Sequence, residues 1–95
     1  MKSIRFMQQR EIEIVSTPGL NAAASARLVQ LASKYLCEVS LARSGRKVNA
    51  KSLMGVMMLA AGKGSRVILE TDGPDETEAL EAIAALIADA LGDAQ

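Results

Sequence analysis

A chain of 95 residues, 49% of them hydrophobic, is long enough for one domain and too apolar to be disordered. No apolar run approaches the roughly 20 residues of a membrane-spanning helix, and the start, MKSIRFMQQREI, lacks an apolar signal core, so the expectation is a soluble cytoplasmic protein without membrane contact. Net charge is zero and there is no histidine, which removes the commonest general base and the commonest metal ligand.

In chain order, EIEIV (11–15) alternates charged and apolar residues and predicts a half-buried strand facing inward through Ile12 and Ile14. STPGL then breaks the pattern. A helix is predicted from Ala22 to Leu36, with Leu28, Val29, Leu31, Ala32, Tyr35 and Leu36 as its apolar stripe and Asn21 as N-cap. CEVSLARSGRKVNA reads as a hairpin: Cys37, Val39 and Leu41 alternate inward, Ser44-Gly45 turns, and Val48 and Ala50 return. Ser52 opens a short helix that Gly55 weakens and Gly62 and Gly64 end. SRVILETDG is a fourth strand. The last helix starts at Pro74 or Asp75, collects acids in its first turn, and is apolar through Leu80, Ile83, Leu86, Ile87 and Leu91. This β-α-β-β-α-β-α order predicts an α+β fold, one antiparallel sheet with helices on one face and the other face wet.

Few residues offer chemistry. Cys37, the single cysteine, excludes an internal disulfide and reads as a small packed hydrophobe. From Asp72 to Gln95 there are seven acidic residues and no basic one, while the first 71 residues carry all eleven basic residues. That basic part raises nucleic-acid binding, but Phe6 and Tyr35 are the sole aromatics and a stacking platform needs more. AGKGS (61–65) is not a phosphate loop: Gly64 follows Lys63, and a strand follows where a helix is required. The carboxylates of the last helix read as a solvated face.

The short helix is more informative. Leu53, Met54, Met57 and Met58 exceed what one amphipathic stripe can bury. They are either ordinary packing with scattered surface residues or an adaptable contact patch. Ser52 is either a plain cap or a phosphorylation site, since negative charge suits a helix start.

The element order, GLNAAASARLVQLA and above all NAKSLMGVMMLAAGKGS resemble HPr, the phosphocarrier of the bacterial phosphotransferase system, with its nitrogen-branch relatives. The resemblance covers about residues 10–92, leaving 1–9 as an N-terminal extension and 93–95 as a tail. It implies an open-faced sandwich: four antiparallel strands with three helices on one face. The family's active stretch reads Gly-Leu-His-Ala-Arg, so the phosphorylated histidine corresponds to Asn21 and the phosphate-holding arginine to Ala23. An imidazole nitrogen is the nucleophile there, helix N–H groups receive the anion, and a guanidinium adds charge. Asn21 cannot replace it, because its amide nitrogen lone pair is delocalised into the carbonyl.

The resemblance further implies that Ser52 is the family's regulatory serine and that Leu53, Met54 and Met57 are its docking patch. Ala26 and Arg27 border that patch, and Arg27 and Lys51 form its basic rim. The implied partners are enzyme I, enzyme II A-type domains, and an HPr kinase or a transcriptional regulator. No nucleic acid, cofactor or metal is expected. Branches of the family without the histidine are known. The expectation is therefore a non-enzymatic, HPr-like regulatory or binding protein that has lost phosphoryl carriage. The alternative is a phosphocarrier inactivated by engineered His-to-Asn and Arg-to-Ala substitutions.

Overall fold

The computed structural model describes residues 7–15, 21–59, 62 and 64–90. Four strands form one sheet: β1 (Gln8–Glu13), β2 (Glu38–Arg43), β3 (Arg46–Asn49) and β4 (Arg66–Asp72), in the spatial order β1-β4-β2-β3, with every pairing antiparallel. Three helices accompany them: α1 (Ala22–Ala32), α2 (Leu53–Leu59) and α3 (Glu76–Ala85), the last running into a π-helical turn at Leu86–Ala90.

Alternation decides which face of the sheet is dry. Ile12 is paired with Val67 and Leu41 with Leu69, and all four are buried. Leu28 and Ala32 of α1, Val56 and Leu59 of α2, and Leu80, Ile83 and Ile87 at the α3 end complete one apolar core. The opposite face carries Gln9, Glu11, Lys47 and Glu70. Lys47 Nζ lies 2.7 Å from the Glu70 carboxylate, which also accepts from Gln9 and Ser40. These donors, Lys47 first, hold the Glu70 carboxyl below its usual range. The wet face is thus largely polar, as the alternation predicts, with Ile68 exposed among these residues.

Several boundaries differ from the sequence expectation. β1 begins at Gln8, three residues before the predicted strand, because Gln8, Gln9 and Arg10 pair with Thr71, Glu70 and Leu69 of β4. Polar pairing at a sheet edge leaves no apolar signature. Ile14 lies beyond the strand, yet its N–H donates to Ser65 O at 2.8 Å and its carbonyl accepts from Gly64 N–H at 2.7 Å.

α1 ends at Ala32, not Leu36. Lys34 N–H and Tyr35 N–H donate to Leu31 and Ala32 carbonyls at 3.1 and 3.2 Å, so the last turn tightens and unwinds. Leu36 leaves the apolar stripe and is 81% exposed. The predicted hairpin turn is present, with Ser44 at φ 52° and Gly45 at φ 82°, the left-handed pair that a two-residue loop needs. α3 begins at Glu76, with Asp75 as the residue before it. STPGL (16–20), Lys63 of AGKGS, Leu91 and the proposed tail 93–95 lie outside the described residues.

Asp75 links these two helix ends. Its side chain makes no cap bond to α3. It reaches instead across to the residues after α1, where its two oxygens accept from Leu36 N–H and Cys37 N–H, each at 2.9 Å. The Leu36 amide, with the Cys37 amide adding to it, holds the Asp75 carboxyl below the usual aspartate range against some desolvation. A depressed folded pKa stabilises the fold fully above the unfolded value of about 3.9. That contribution is lost as pH falls through the lower folded value. Asp75→Asn is therefore expected to narrow its stability gap to the parent as pH drops below about 5, followed by urea unfolding. A gap that stays constant down to acid pH would mean the carboxylate does not hold these amides.

Cys37 itself is 1% exposed, and burial, with the Asp75 carboxylate alongside, pushes its thiol up to about 11. It is the inert packed hydrophobe the sequence suggested.

Candidate functional site

Two helix starts on the helical side of the sheet hold the residues singled out from the sequence. At α1, Asn21 has extended backbone (φ −77°, ψ −174°), and its Oδ1 accepts from Ala24 N–H at 2.9 Å. Its carbonyl accepts from Ser25 N–H at 2.8 Å, the first bond of the helix. The amide side chain is thus the N-cap. Ala22 and Ala23 are exposed in the first turn, whereas Ala24 and Ser25 are buried. Ala23 contributes a methyl group and no charge. Arg27 is exposed one turn later. Asn21→Ala is expected to cost about 0.5–2 kcal/mol of stability in denaturant unfolding; an unchanged midpoint would remove Asn21 from the cap.

At α2, Asn49 prepares the helix. Its side-chain oxygen accepts from Lys51 N–H at 2.8 Å and its carbonyl from Ser52 N–H at 3.0 Å. Ser52 Oγ then accepts from Gly55 N–H at 3.1 Å, and Ser52 C=O from Val56 N–H at 3.0 Å. Ser52 is a working N-cap with a half-buried side chain. Val56 and Leu59 turn into the core, so the other large residues must face out. Met54 is 71% exposed and Met58 59%, with Leu53 and Met57 also exposed. Packing therefore leaves four large apolar side chains of one short helix in solvent, contiguous along its outer face.

Lys51 occupies a different position from Arg27. Its Nζ donates to Tyr35 C=O at 2.7 Å, so its ammonium ties the start of α2 to the residues following α1. The next two residues, Leu36 and Cys37, are held in turn by Asp75. Sequence reasoning did not find this double hold. Its partners are backbone atoms, and no side-chain pattern marks them.

Among the described residues no group of three His, Cys, Asp or Glu could hold a metal, and no helix is long and apolar enough to cross a membrane.

Comparison with known proteins agrees with this arrangement. The family model of the PTS HPr component phosphorylation site matches residues 8–89. The phosphocarrier protein HPr of Cupriavidus necator is 56% identical over 89 residues, covering 94% of this chain and all of that one. The HPr-like protein Crh of Halalkalibacterium halodurans is 44% identical over 81 residues, 85% of this chain and 96% of the relative. A crystal structure of a phosphocarrier protein HPr from Bacillus anthracis superposes with a TM-score of 0.83 at 41% identity, over 85% of this chain and 96% of that one. A four-stranded open-faced sandwich with two capped helix starts on its helical side, matched nearly end to end by these sequences, places the chain in the HPr family of the phosphotransferase system.

Proposed function

We propose that this chain is a non-enzymatic, regulatory HPr-like protein. It binds other proteins of the phosphotransferase system and does not carry a phosphoryl group on histidine. The observation that carries this reading is Asn21, standing at the start of α1 in a sequence that contains no histidine. Carriage of a phosphoryl group on histidine needs a nitrogen lone pair that can attack phosphorus and then leave. The amide of Asn21 has none, and its oxygen is already engaged by Ala24 N–H. Ala23 supplies no cation to hold the transferred anion.

What the proposed function retains is the surface. Leu53, Met54 and Met57 form the apolar centre of a docking patch, and Met side chains adapt to more than one partner. Arg27 and Lys51 supply basic character beside it. Ser52 is the point of control. A phosphoryl group there adds about two negative charges beside the apolar centre, which changes which partner surface is complementary.

Enzyme I and phosphoenolpyruvate test the first half: the chain is expected to show no acid-labile phosphoryl adduct by intact mass, and such an adduct would refute the reading. Titration with enzyme I and with A-type domains of the same system tests the second. Met54→Ala or Met57→Ala is expected to weaken binding by more than about 1 kcal/mol, with the unfolding midpoint nearly unchanged because both side chains lie outside the core.

A further inference from the structure

We propose that Arg43 and Arg46, which flank the β2–β3 turn, are positioning residues for the docking helix. They clamp the C-terminal end of α2 and so set the pose in which its methionines meet a partner. The proposal rests on the reading of α2 as the partner surface.

α2 cannot hold itself in place. It has seven residues, about two turns, where isolated helices shorter than about 12 residues are marginal in water. Gly55 lies inside it, which weakens it further. Only Val56 and Leu59 anchor it in the core, while four large side chains face solvent. Ser52 secures the first turn. At the other end, the last carbonyls of any helix lack intrahelical partners, and α2 has no basic residue of its own in its last turn.

The hairpin supplies what is missing. Arg43 Nη1 donates to Leu59 C=O at 3.0 Å, and Arg46 Nη1 donates to Met58 C=O at 3.2 Å. These are consecutive carbonyls at the negative end of the helix, where a cation is favoured.

A second observation points the same way. Arg43 and Arg46 are directly opposed in the β2–β3 register, one on each side of the Ser44-Gly45 turn. Like charges opposed across a hairpin repel. Among the described residues, neither guanidinium pairs with a carboxylate that would relieve this. The helix carbonyls are what both charges serve. The two-residue turn, with left-handed backbone at Ser44 and Gly45, sets Arg43 and Arg46 opposite each other at the end of the hairpin.

The test is Arg43→Met/Arg46→Met, which keeps the apolar stems and removes the donors, beside Arg43→Lys/Arg46→Lys and Met54→Ala. Amide hydrogen exchange at Met57, Met58 and Leu59 in the double Met variant is expected to quicken about tenfold, the size of one charge-assisted hydrogen bond. Exchange at Ile68 and Leu69 in β4 is expected to change no more than global stability does. Affinity for purified enzyme I is expected to fall about tenfold. The Lys pair is expected to recover part of both, because it restores charge without the planar fork. Unchanged exchange in α2 overturns the clamp. So does full affinity in the Arg variants when Met54→Ala has lost it. If neither kind of variant changes affinity, the docking reading of α2 fails, and with it the claim that the clamp serves docking. The exchange data still decide whether the arginines order the helix.

Discussion

The double variant Asn21→His/Ala23→Arg is expected to accept a phosphoryl group from enzyme I and phosphoenolpyruvate, where the parent accepts none. The proposed frame for that chemistry is the start of α1. α1 starts with its first amide groups directed out of the helix end, and Asn21 already has the extended backbone of a residue poised before a helix. Today the Ala24 N–H is occupied by Asn21 Oδ1. With histidine at position 21 that donor is released, and a phosphoryl oxygen can take the place of the amide oxygen at the positive end of the helix.

An imidazole nitrogen attacks phosphorus as the bond between phosphorus and the donor's leaving atom breaks, and that leaving atom keeps the electron pair. An arginine at position 23, exposed in the first turn as Ala23 is now, adds a charge-assisted contact to the anion. Asn21→His alone is therefore expected to accept more slowly than the double variant, by about tenfold. Intact mass before and after mild acid reads the adduct, and circular dichroism confirms the fold. A folded double variant that stays inert would mean that the start of α1 no longer offers the cradle.

Gly73→Ala is expected to cost about 3 kcal/mol or more, combining backbone strain with overpacking. Gly73 has φ +152°, a region that L side chains rarely adopt. A methyl group there would stand 2.6 Å from Cys37 Cα and 2.8 Å from Cys37 Cβ. Neither side can yield cheaply. Cys37 N–H is held by Asp75, and Gly73 N–H donates to Glu76 Oε1 at 2.9 Å. The buried Thr71 hydroxyl donates to Glu76 C=O at 2.8 Å, tying the end of β4 to the start of α3.

Cys37→Gly in the same background relieves the clash with the side chain at position 37 and leaves the clash with its backbone, so only part of the loss should return. Urea midpoints of the parent, the single variant and the pair decide it. A cost below about 1 kcal/mol would show that the two backbones are not forced together. The consequence reaches the candidate site, because residues 35–37 lie between Gly73, Asp75 and the Lys51 ammonium that leads into α2.

Periodicity determined the order of strands and helices and the dry and wet faces of the sheet, and residue type at the helix starts determined the two caps Asn21 and Ser52. Each of these depends on neighbours within four residues or on simple alternation, so the information lies in adjacent positions. The excess of apolar residues in LMGVMML likewise implied side chains that a small core could not take. The family resemblance lay above all in the long stretch that begins at Asn49, and the absence of histidine is read directly from the chain.

Only tertiary structure decided where elements stop and what secures them. β1 reaches back to Gln8 because β4 is long enough to pair with it. α1 ends at Ala32 while its apolar stripe continues, and Asp75, 39 residues on from Leu36, takes the amides that follow. Lys51 on the Tyr35 carbonyl, and Arg43 and Arg46 on the carbonyls of α2, are bonds from long, flexible cations to backbone oxygens. A backbone oxygen has no residue identity, so no sequence pattern can record that it has been chosen.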